Sequence, residues 1–414
     1  MSIYEDIVQY IKSGETSNKK LGLEIEHFVV NEEGVQITFE QIVPLIEEVA
    51  KGIGAKPLYT DGYVVGYVSE EYVITLEPAC QFEISINPYE RIEDIKRVYE
   101  EFRQLWDKEF EQIGYHIEVG GVLPAVEAGK FLPIDIPLSK KNRYKYMDEY
   151  FKKSGKYGEY MMRASGSTQI SIDYSSEDDL RKKLEALQIV SPIISIMFEN
   201  KSNPDYVLPE SDGKKHLIRI QEWEALDKDR TGFLDHSIVD FGYRKIAEDV
   251  AHTPLILLTQ NGETTYVGNK NALDLINEKI IDYDNASDDE KKRYIEHFIS
   301  MGFYHFRIKK YIEIRVADAV PIDVAVAFAA LIKGLIYNAA NIDRLLDKYK
   351  NITTIDDINE AIQSVEKDGF DAQIYDGRKA IEHAEELLSI ASDGLDNEEK
   401  EYLKYVRDFW NKCK

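Results

Sequence analysis

The chain has 414 residues, and its 51 Lys and Arg against 76 Asp and Glu give a formal charge of −25. This balance argues against a protein that binds nucleic acid or anionic membranes, because such affinity depends on clustered Lys and Arg. At 43% hydrophobic and 31% charged residues, the composition is that of an ordinary globular protein.

The sequence predicts a soluble cytoplasmic protein. Its two cysteines, Cys80 and Cys413, provide neither a disulfide framework nor a Cys-x-x-Cys zinc site. The N-terminal MSIYEDIVQYIKSGE contains acidic residues and no continuous apolar core, so we expect neither a signal peptide nor an anchor there. The most apolar stretch, 324–337, is shorter than the roughly 18 to 20 residues of a membrane span and contains Lys333.

The first part of the chain alternates between helical and strand patterns. Apolar residues recur at helical spacing over 3–12, and the pattern changes to period two at LGLEIEHFVV, which predicts a strand. The next predicted elements are a helix over 42–50, a hairpin of 63–67 and 72–76, and a strand at CQFEISIN. A helix over 92–113, closed by Gly114, should then cover one face of a sheet.

The pattern is less regular from residue 121 onward. Residues 121–160 are rich in Pro, Gly, Lys and Tyr, which predicts an extended loop with a short helix. The later predicted elements are a strand at STQISIDY, a helix over 177–198, strands at 255–258, 264–267 and 311–316, and a helical C-terminal region over 340–414. Strands scattered among helices favour an α+β fold with a mainly antiparallel sheet, and no repeat or linker divides the single domain expected over 1–414.

Four predicted strands each carry polar side chains on one face, because residues two apart in a strand point the same way. The polar sets are Glu24 with Glu26, Gln81 with Glu83 and Ser85, Gln169 with Ser171 and Asp173, and Glu313 with Arg315. One interpretation is the solvated face of an amphipathic sheet. Neighbouring like charges destabilise such a face, however, and Arg315 is its one predicted cation. The alternative is a divalent metal site, for which hard oxygen ligands favour Mg²⁺ or Mn²⁺.

Metal held by carboxylates is typical of nucleotide-dependent phosphoryl transfer. Nothing matches GxxxxGK[ST], and no GxGxxG follows a predicted strand. Any nucleotide would therefore be held by metal and by Arg or Lys, with Arg143 in KKNRYKYM and Arg230 in DKDRTGF as candidates. A glycosidase with two of the carboxylates as acid and nucleophile stays open as the rival interpretation.

Taken together, these segments resemble the glutamate-cysteine ligases of the plant and proteobacterial type, in the carboxylate-amine ligase superfamily. LGLEIEHF resembles the Glu-x-Glu-His strand of that family, TLEPACQFEIS its LEPGGQxELS segment, and RIKKYIEIRVADAVP its RLKxYLExRxAD. Further similarity lies in KKNRYKYMDEYF with GKYGEYMM, in STQISIDYSSEDDLRKK and in IRIQEWEALDKDRTGFL. The matches run in family order from about residue 21 to about residue 337.

The resemblance implies a curved sheet that forms an active-site funnel. It also implies ATP-dependent joining of glutamate to cysteine through γ-glutamyl phosphate, the first step of glutathione biosynthesis. The implied Mg²⁺ or Mn²⁺ ligands are Glu24, Glu26, Glu77, Glu83 and Glu313. Arg315 and Arg230 are implied as clamps for phosphate or carboxylate, and substrate or nucleotide contacts are expected from Arg143, Tyr144, Gln81, Gln169 and Trp223.

The amine substrate stays open, because the double glycine of the family's LEPGGQ segment is replaced by Ala79 and Cys80. One alternative is a ligase that joins glutamate to another amine. The other is a non-catalytic protein that binds Mg²⁺ and nucleotide. The expected partners are small molecules, namely ATP, glutamate and the amine.

Overall fold

The computed structural model describes residues 2–234, 238, 241–260 and 262–413. The helices up to residue 300 are α1 (Ile3–Lys12), α2 (Phe39–Gly52), α3 (Ile92–Glu111), α4 (Pro124–Glu127), α5 (Asn142–Ser154), α6 (Gly158–Ala164), α7 (Glu177–Met197), α8 (Ile218–Leu226), α9 (Tyr243–His252), α10 (Ala272–Asn277) and α11 (Asp288–Ser300). They are followed by α12 (Ile322–Ile336), α13 (Ala339–Lys348), α14 (Ile355–Asp368), α15 (Ala380–Asp393), α16 (Asn397–Lys400) and α17 (Lys404–Cys413).

The strands are shorter and belong to one large and three small sheets. They are β1 (Leu21–Asn31), β2 (Lys56–Thr60), β3 (Tyr63–Val68), β4 (Tyr72–Leu76), β5 (Phe82–Tyr89), β6 (Tyr115–Glu118), β7 (Ser167–Ile172), β8 (Thr231–Gly232), β9 (Leu257–Gln260), β10 (Glu263–Tyr266), β11 (Phe303–Tyr304), β12 (Phe306–Ile308), β13 (Ile312–Asp318), β14 (Gln373–Ile374) and β15 (Arg378–Lys379).

Among the described residues, the large sheet has nine strands and is open. Its order is β12-β13-β7-β1-β5-β4-β3-β2, with β6 paired to the far end of β1, and every pairing in it is antiparallel. The predicted α+β class with a mainly antiparallel sheet is therefore confirmed.

One face of this sheet forms the core. Leu23 and Ile25 of β1, Ile84 of β5 and Ile170 of β7 are fully buried, and helices α3, α7 and α12 pack over this region. Each such side chain contributes roughly 1.5–3 kcal/mol when it leaves water, so the period-two pattern of the strands fixes which face turns inward. The other face is left for polar side chains.

Most predicted elements are found near their predicted bounds, but the region of residues 121–160 differs from its prediction. The prediction of a loop with one short helix was wrong in extent, because α4, α5 and α6 lie in this region. In α5 the residues Tyr144, Met147 and Phe151 recur at helical spacing and are buried, a pattern that the many Lys and Tyr residues obscure. Helices α8 to α11 were not predicted, and α5 and α8 supply walls of the site described below.

The C-terminal region is mostly helical, as predicted, and packs on the core rather than apart from it. Helix α14 contacts α7, and α15 and α17 contact α12. One continuous apolar core contains residues from Ile3 to Trp410. No individual helix in the described ranges combines the length and apolarity of a membrane span; α12 and α13 pass that test only as a pair, with an 83° bend between them.

Candidate active site

A cavity of about 340 Å³ lies on the polar face of the large sheet. Strands β1, β5, β7, β12 and β13 form its floor, and side chains from α5, α6, α8 and residues 300–303 form its walls. Of the twelve residues predicted for the site, eleven line this cavity: Glu24, Glu26, Glu77, Gln81, Glu83, Arg143, Tyr144, Gln169, Trp223, Glu313 and Arg315.

Strand register explains why residues so far apart in sequence meet here. Glu26 of β1 is directly opposite Glu83 of β5, and Glu24 is opposite Ser85 on one side and Gln169 of β7 on the other. Glu313 of β13 is opposite Ser171 of β7. Directly opposed residues share a face, so the polar sets predicted on separate strands form one surface.

The first part of this surface is the acidic half, defined by Glu24, Glu26, Glu77 and Glu83. The pKa of Glu26 is raised to about 7, chiefly by burial and secondly by repulsion from the Glu77 carboxylate. Burial followed by repulsion from Glu77, Glu24 and Glu26 raises the pKa of Glu83 well above its usual value. The carboxylates therefore oppose one another's ionisation, and the cluster favours positive charge in the cavity.

Neighbouring groups orient these carboxylates. The Ser167 backbone N–H donates to Glu26 Oε2 at 2.7 Å, and Thr75 Oγ1 donates to Glu83 Oε1 at 2.7 Å. Glu77 lies in the turn after β4, and the Tyr144 hydroxyl donates to its Oε2 at 3.2 Å. One oxygen of Glu26, of Glu83 and of Glu77 is oriented in this way.

The second part is the basic half, defined by Arg307, Lys309 and Arg315 around Glu313. Arg307 Nε lies 2.6 Å and Arg315 Nη1 lies 3.3 Å from Glu313 Oε2, and Lys309 Nζ lies 2.7 Å from Oε1. Although burial acts to raise it, these three cations hold the pKa of Glu313 well below its usual value. Arg315 Nη1 also donates to Gln169 Oε1 at 2.5 Å. This half carries net positive charge.

The donor set of the acidic half fits a hard divalent cation. Its members are buried or half-buried carboxylates that repel one another, with no thiolate or imidazole among them, and such oxygen ligands are those of Mg²⁺ and Mn²⁺. Within the described residues, no three Asp, Glu, His or Cys side chains are already arranged as metal ligands. Glu313 fits less well than the others, because both of its oxygens face the cations of the basic half.

The walls bring the remaining predicted residues to the cavity. The Arg143 side chain donates from Nη2 to the Ser300 carbonyl at 3.4 Å, and burial lowers the pKa of its guanidinium. The Trp223 ring packs against Phe303 with 5.4 Å between ring centroids. Gln81 accepts from the Ala79 N–H and donates to the Ser165 carbonyl, so its amide connects the turn after β4 to the segment before β7.

Arg230 is the predicted site residue that does not reach the cavity. Its fully buried guanidinium forms a salt bridge with Asp227 and donates to the Pro254 carbonyl at 2.8 Å and to the Tyr150 hydroxyl at 2.8 Å. Arg230 was expected to bind phosphate or carboxylate in the site. In the structure its guanidinium instead holds the turn at 227–231 against the segment before β9.

Three cations in the cavity were missed in the sequence: Arg219, Arg307 and Lys309. Arg307 and Lys309 are two residues apart just before YIEIR, and that period-two spacing is the signal that could have placed them beside Glu313. Arg219 Nη1 and Nη2 both donate to the Arg315 carbonyl at 2.9 Å. It lies on α8, whose helical pattern was not recognised.

Comparison with known proteins shows the family of this chain. Residues 20–410 match the model of glutamate-cysteine ligase family 2. The chain belongs to this family. Two similar relatives are chloroplastic glutamate-cysteine ligases, from Medicago truncatula (26% identical over 404 residues, covering 95% of this chain and 75% of the relative) and Brassica juncea (27% over 403 residues, covering 95% and 74%).

The fold of this glutamate-cysteine ligase family member is also found in a solved structure. The glutamate-cysteine ligase of Francisella tularensis, determined in complex with AMP, aligns with a TM-score of 0.52 at 12% identity, covering 95% of this chain and 82% of that one. The predicted family is thus confirmed by sequence, and the predicted fold by structure.

Proposed function

We propose that this protein is a glutamate-cysteine ligase that uses ATP to join the side-chain carboxylate of glutamate to the amine of cysteine. The observation that carries the proposal is the single cavity in which an acidic half and a basic half meet. The family and its relatives support the same reaction. The product, γ-glutamylcysteine, places the protein at the first step of glutathione biosynthesis.

The chemistry requires two anions to meet, the glutamate carboxylate and the triphosphate of ATP. A carboxylate oxygen forms a bond to the γ-phosphorus as the bond to ADP breaks, giving γ-glutamyl phosphate. The amine nitrogen then attacks the acyl carbon, phosphate leaves, and the nitrogen loses its proton. Arg307, Lys309 and Arg315 neutralise the anions and hold them in line, since preorganised positive groups are most effective in a buried site.

Glu24, Glu26, Glu77 and Glu83 would hold Mg²⁺ or Mn²⁺. The bound metal supplies positive charge to the phosphate oxygens. Arg143 and Tyr144 on α5 cover the nucleotide or glutamate, Gln81 and Gln169 orient groups along the floor, and Trp223 forms a wall of the substrate pocket. A cytoplasmic location is part of the proposal, because the sequence contains no disulfide framework.

The decisive experiment measures ADP release with ATP, Mg²⁺ and glutamate, with cysteine compared against a panel of other amino acids and simple amines. We expect cysteine-dependent ADP release matched by γ-glutamylcysteine in the mass spectrum. Release with a different amine would reassign the acceptor and keep the mechanism. No release with any acceptor would contradict the enzyme and favour a nucleotide-binding protein.

The metal requirement is tested in the same assay. We expect EDTA to abolish turnover and excess Mg²⁺ to restore it, because the acidic half repels the triphosphate when no cation is bound. Unchanged turnover in EDTA would contradict a metal at this site.

A further inference from the structure

Glu77 differs from the other carboxylates of the acidic half because no strand pairing fixes it. Glu24, Glu26 and Glu83 lie within β1 and β5, whereas Glu77 follows the last residue of β4. The turn after it closes with the Cys80 N–H donating to the Glu77 carbonyl at 3.0 Å, and Cys80 adopts φ 62°, a region that costs a non-glycine residue free energy. The Glu77 N–H also donates to the Gln81 carbonyl at 2.9 Å, so the turn fixes the main chain of Glu77, while its carboxylate depends on groups outside the sheet.

Lys141, just before α5, supplies such a group from behind the cavity. Its side chain is only 8% exposed and does not line the cavity. Its Nζ donates to the carbonyl of Leu76, the residue before Glu77, at 2.5 Å, and it lies 5.0 Å from the centroid of the Tyr144 ring. Tyr144 in turn donates to the Glu77 carboxylate.

The charge of Lys141 needs a counter-charge because it is buried. Burial lowers the pKa of Lys141, and the Glu77 carboxylate is the side chain that most strongly opposes this shift. A buried ammonium group with one carbonyl partner is costly unless an anion lies close by. Lys141 thus reaches Glu77 through the Leu76 carbonyl and the Tyr144 ring.

We propose that Lys141 is a positioning residue for Glu77: its ammonium group fixes the end of β4 through the Leu76 carbonyl and lies against the ring of Tyr144, whose hydroxyl holds the Glu77 carboxylate. This inference rests on the proposed metal binding by the acidic half. Residues behind the ligands of a metal site commonly set its affinity, and their loss costs about 10- to 100-fold.

The adjacent Lys140 offers a matched control. Its side chain is 50% exposed and its Nζ pairs with Glu40 at 2.8 Å on the surface. Lys140→Met and Lys141→Met remove the same charge one residue apart. A general effect of net charge would be equal in both, whereas positioning of Glu77 depends on Lys141 alone.

The test measures Mn²⁺ affinity of the full chain from the electron paramagnetic resonance signal of free Mn²⁺, without ATP or amino acids. We expect Lys141→Met to weaken binding about tenfold or more and Lys140→Met to leave it unchanged. Wild-type affinity in a folded Lys141→Met protein, equal losses in both variants, or no binding by the wild type would overturn the proposal. This experiment measures Mn²⁺ affinity and not turnover. Its result is therefore independent of whether the protein is active in the ligase assay.

The combination with Glu77→Gln adds a second comparison, which asks whether Lys141 acts through Glu77. If Lys141 acts through Glu77, the double variant should bind Mn²⁺ with the same affinity as Glu77→Gln. A further tenfold loss in the double variant would show that Lys141 acts independently of Glu77 and would contradict the proposal.

Discussion

The acidic and basic halves of the cavity floor are built on the same sheet and carry opposite charge. In the acidic half, Glu26 and Glu83 face each other across neighbouring strands, and their pKa values rise. In the basic half, Glu313 is enclosed by Arg307 and Lys309 with Arg315, and its pKa falls. A carboxylate can therefore serve two purposes in one site, depending on which cations the fold brings to it.

This difference assigns the two halves to different parts of the chemistry. A cluster of mutually repelling carboxylates attracts a cation, whereas three cations around one carboxylate keep excess positive charge for incoming anions. Both the strand pattern and the family resemblance placed Glu313 with the metal ligands. The cations around Glu313 distinguish it from Glu26 and Glu83, whereas Glu24 lies between the two halves and interacts with Glu313 as well as with Glu83.

The largest effect is expected from the acidic half. Glu83→Gln keeps the shape of the side chain and removes its charge, so we expect turnover to fall about 100- to 1,000-fold, the scale of losing one positioned electrostatic group. Steady-state ADP release measures this, with the exposed Glu70→Gln as control. A folded Glu83→Gln protein with normal turnover would remove this residue from the site.

The second prediction separates the halves. Glu313→Gln should lower turnover about 100-fold, because Arg307, Lys309 and Arg315 lose the anion that orders them. Mn²⁺ affinity measured without substrates should stay near that of the wild type. If it falls as far as in Glu83→Gln, Glu313 is a metal ligand and the division of the cavity is wrong.

The third prediction concerns α11, whose last residue, Ser300, contacts Arg143 beside the cavity. Burial lowers the pKa of His297 to about 4, and its Nε2 lies 2.9 Å from the Leu257 carbonyl. The unfolded state takes up a proton near pH 6.5 and the folded state does not, so stability falls as the pH drops from about 6.5 toward 4. With an unfolded pKa of about 6.5, His297 should account for a loss of about 1.4 kcal/mol by pH 5.5.

Urea denaturation of the wild type and His297→Gln at pH 7.5 and 5.5 measures this contribution. The amide of Gln can donate to the same carbonyl and does not titrate, so the variant should lose less stability on acidification than the wild type. An equal loss in both proteins would show that the pKa of His297 is the same in the folded and unfolded states, which would contradict the prediction.

The prediction with the smallest expected effect compares the two faces of β1. Ile25 lies between Glu24 and Glu26 but points into the core, fully buried. Ile25→Val should cost about 0.5–1.5 kcal/mol of unfolding free energy and leave turnover within about twofold of the wild type. Urea denaturation and the ADP assay measure both. A large loss of turnover at unchanged stability would mean that the cavity responds to the packing behind it.

Much of the site could be predicted because its carboxylates lie in strands. Glu24, Glu26, Glu83 and Glu313 alternate with apolar residues, and period-two spacing states which side chains share a face. Arg307 and Lys309 carry the same spacing but were overlooked. Arg219 could not be found in this way, because it approaches from α8, whose position beside the sheet depends on packing between distant segments.

Arg230 shows the opposite error. Its motif resembles that of the family, and the sequence gives no sign of whether an Arg in a loop faces a ligand or the protein interior. The fold decides this through Asp227, Tyr150 and the Pro254 carbonyl, which occupy its donors. A motif thus predicts less reliably that a loop Arg lines the site than strand periodicity predicts it for a carboxylate.

The sequence by itself determined the strands, the face on which their carboxylates lie and the family, because these follow from local periodicity and from ordered motifs. Only the tertiary structure decided which carboxylates meet cations and which repel one another. That division depends on strand order, which brings β12 beside β13 and β1 beside β5, and on the placement of α5 and α8. Charge balance in a buried site is set by distances between chain segments, and spacing along the chain carries no information about those distances.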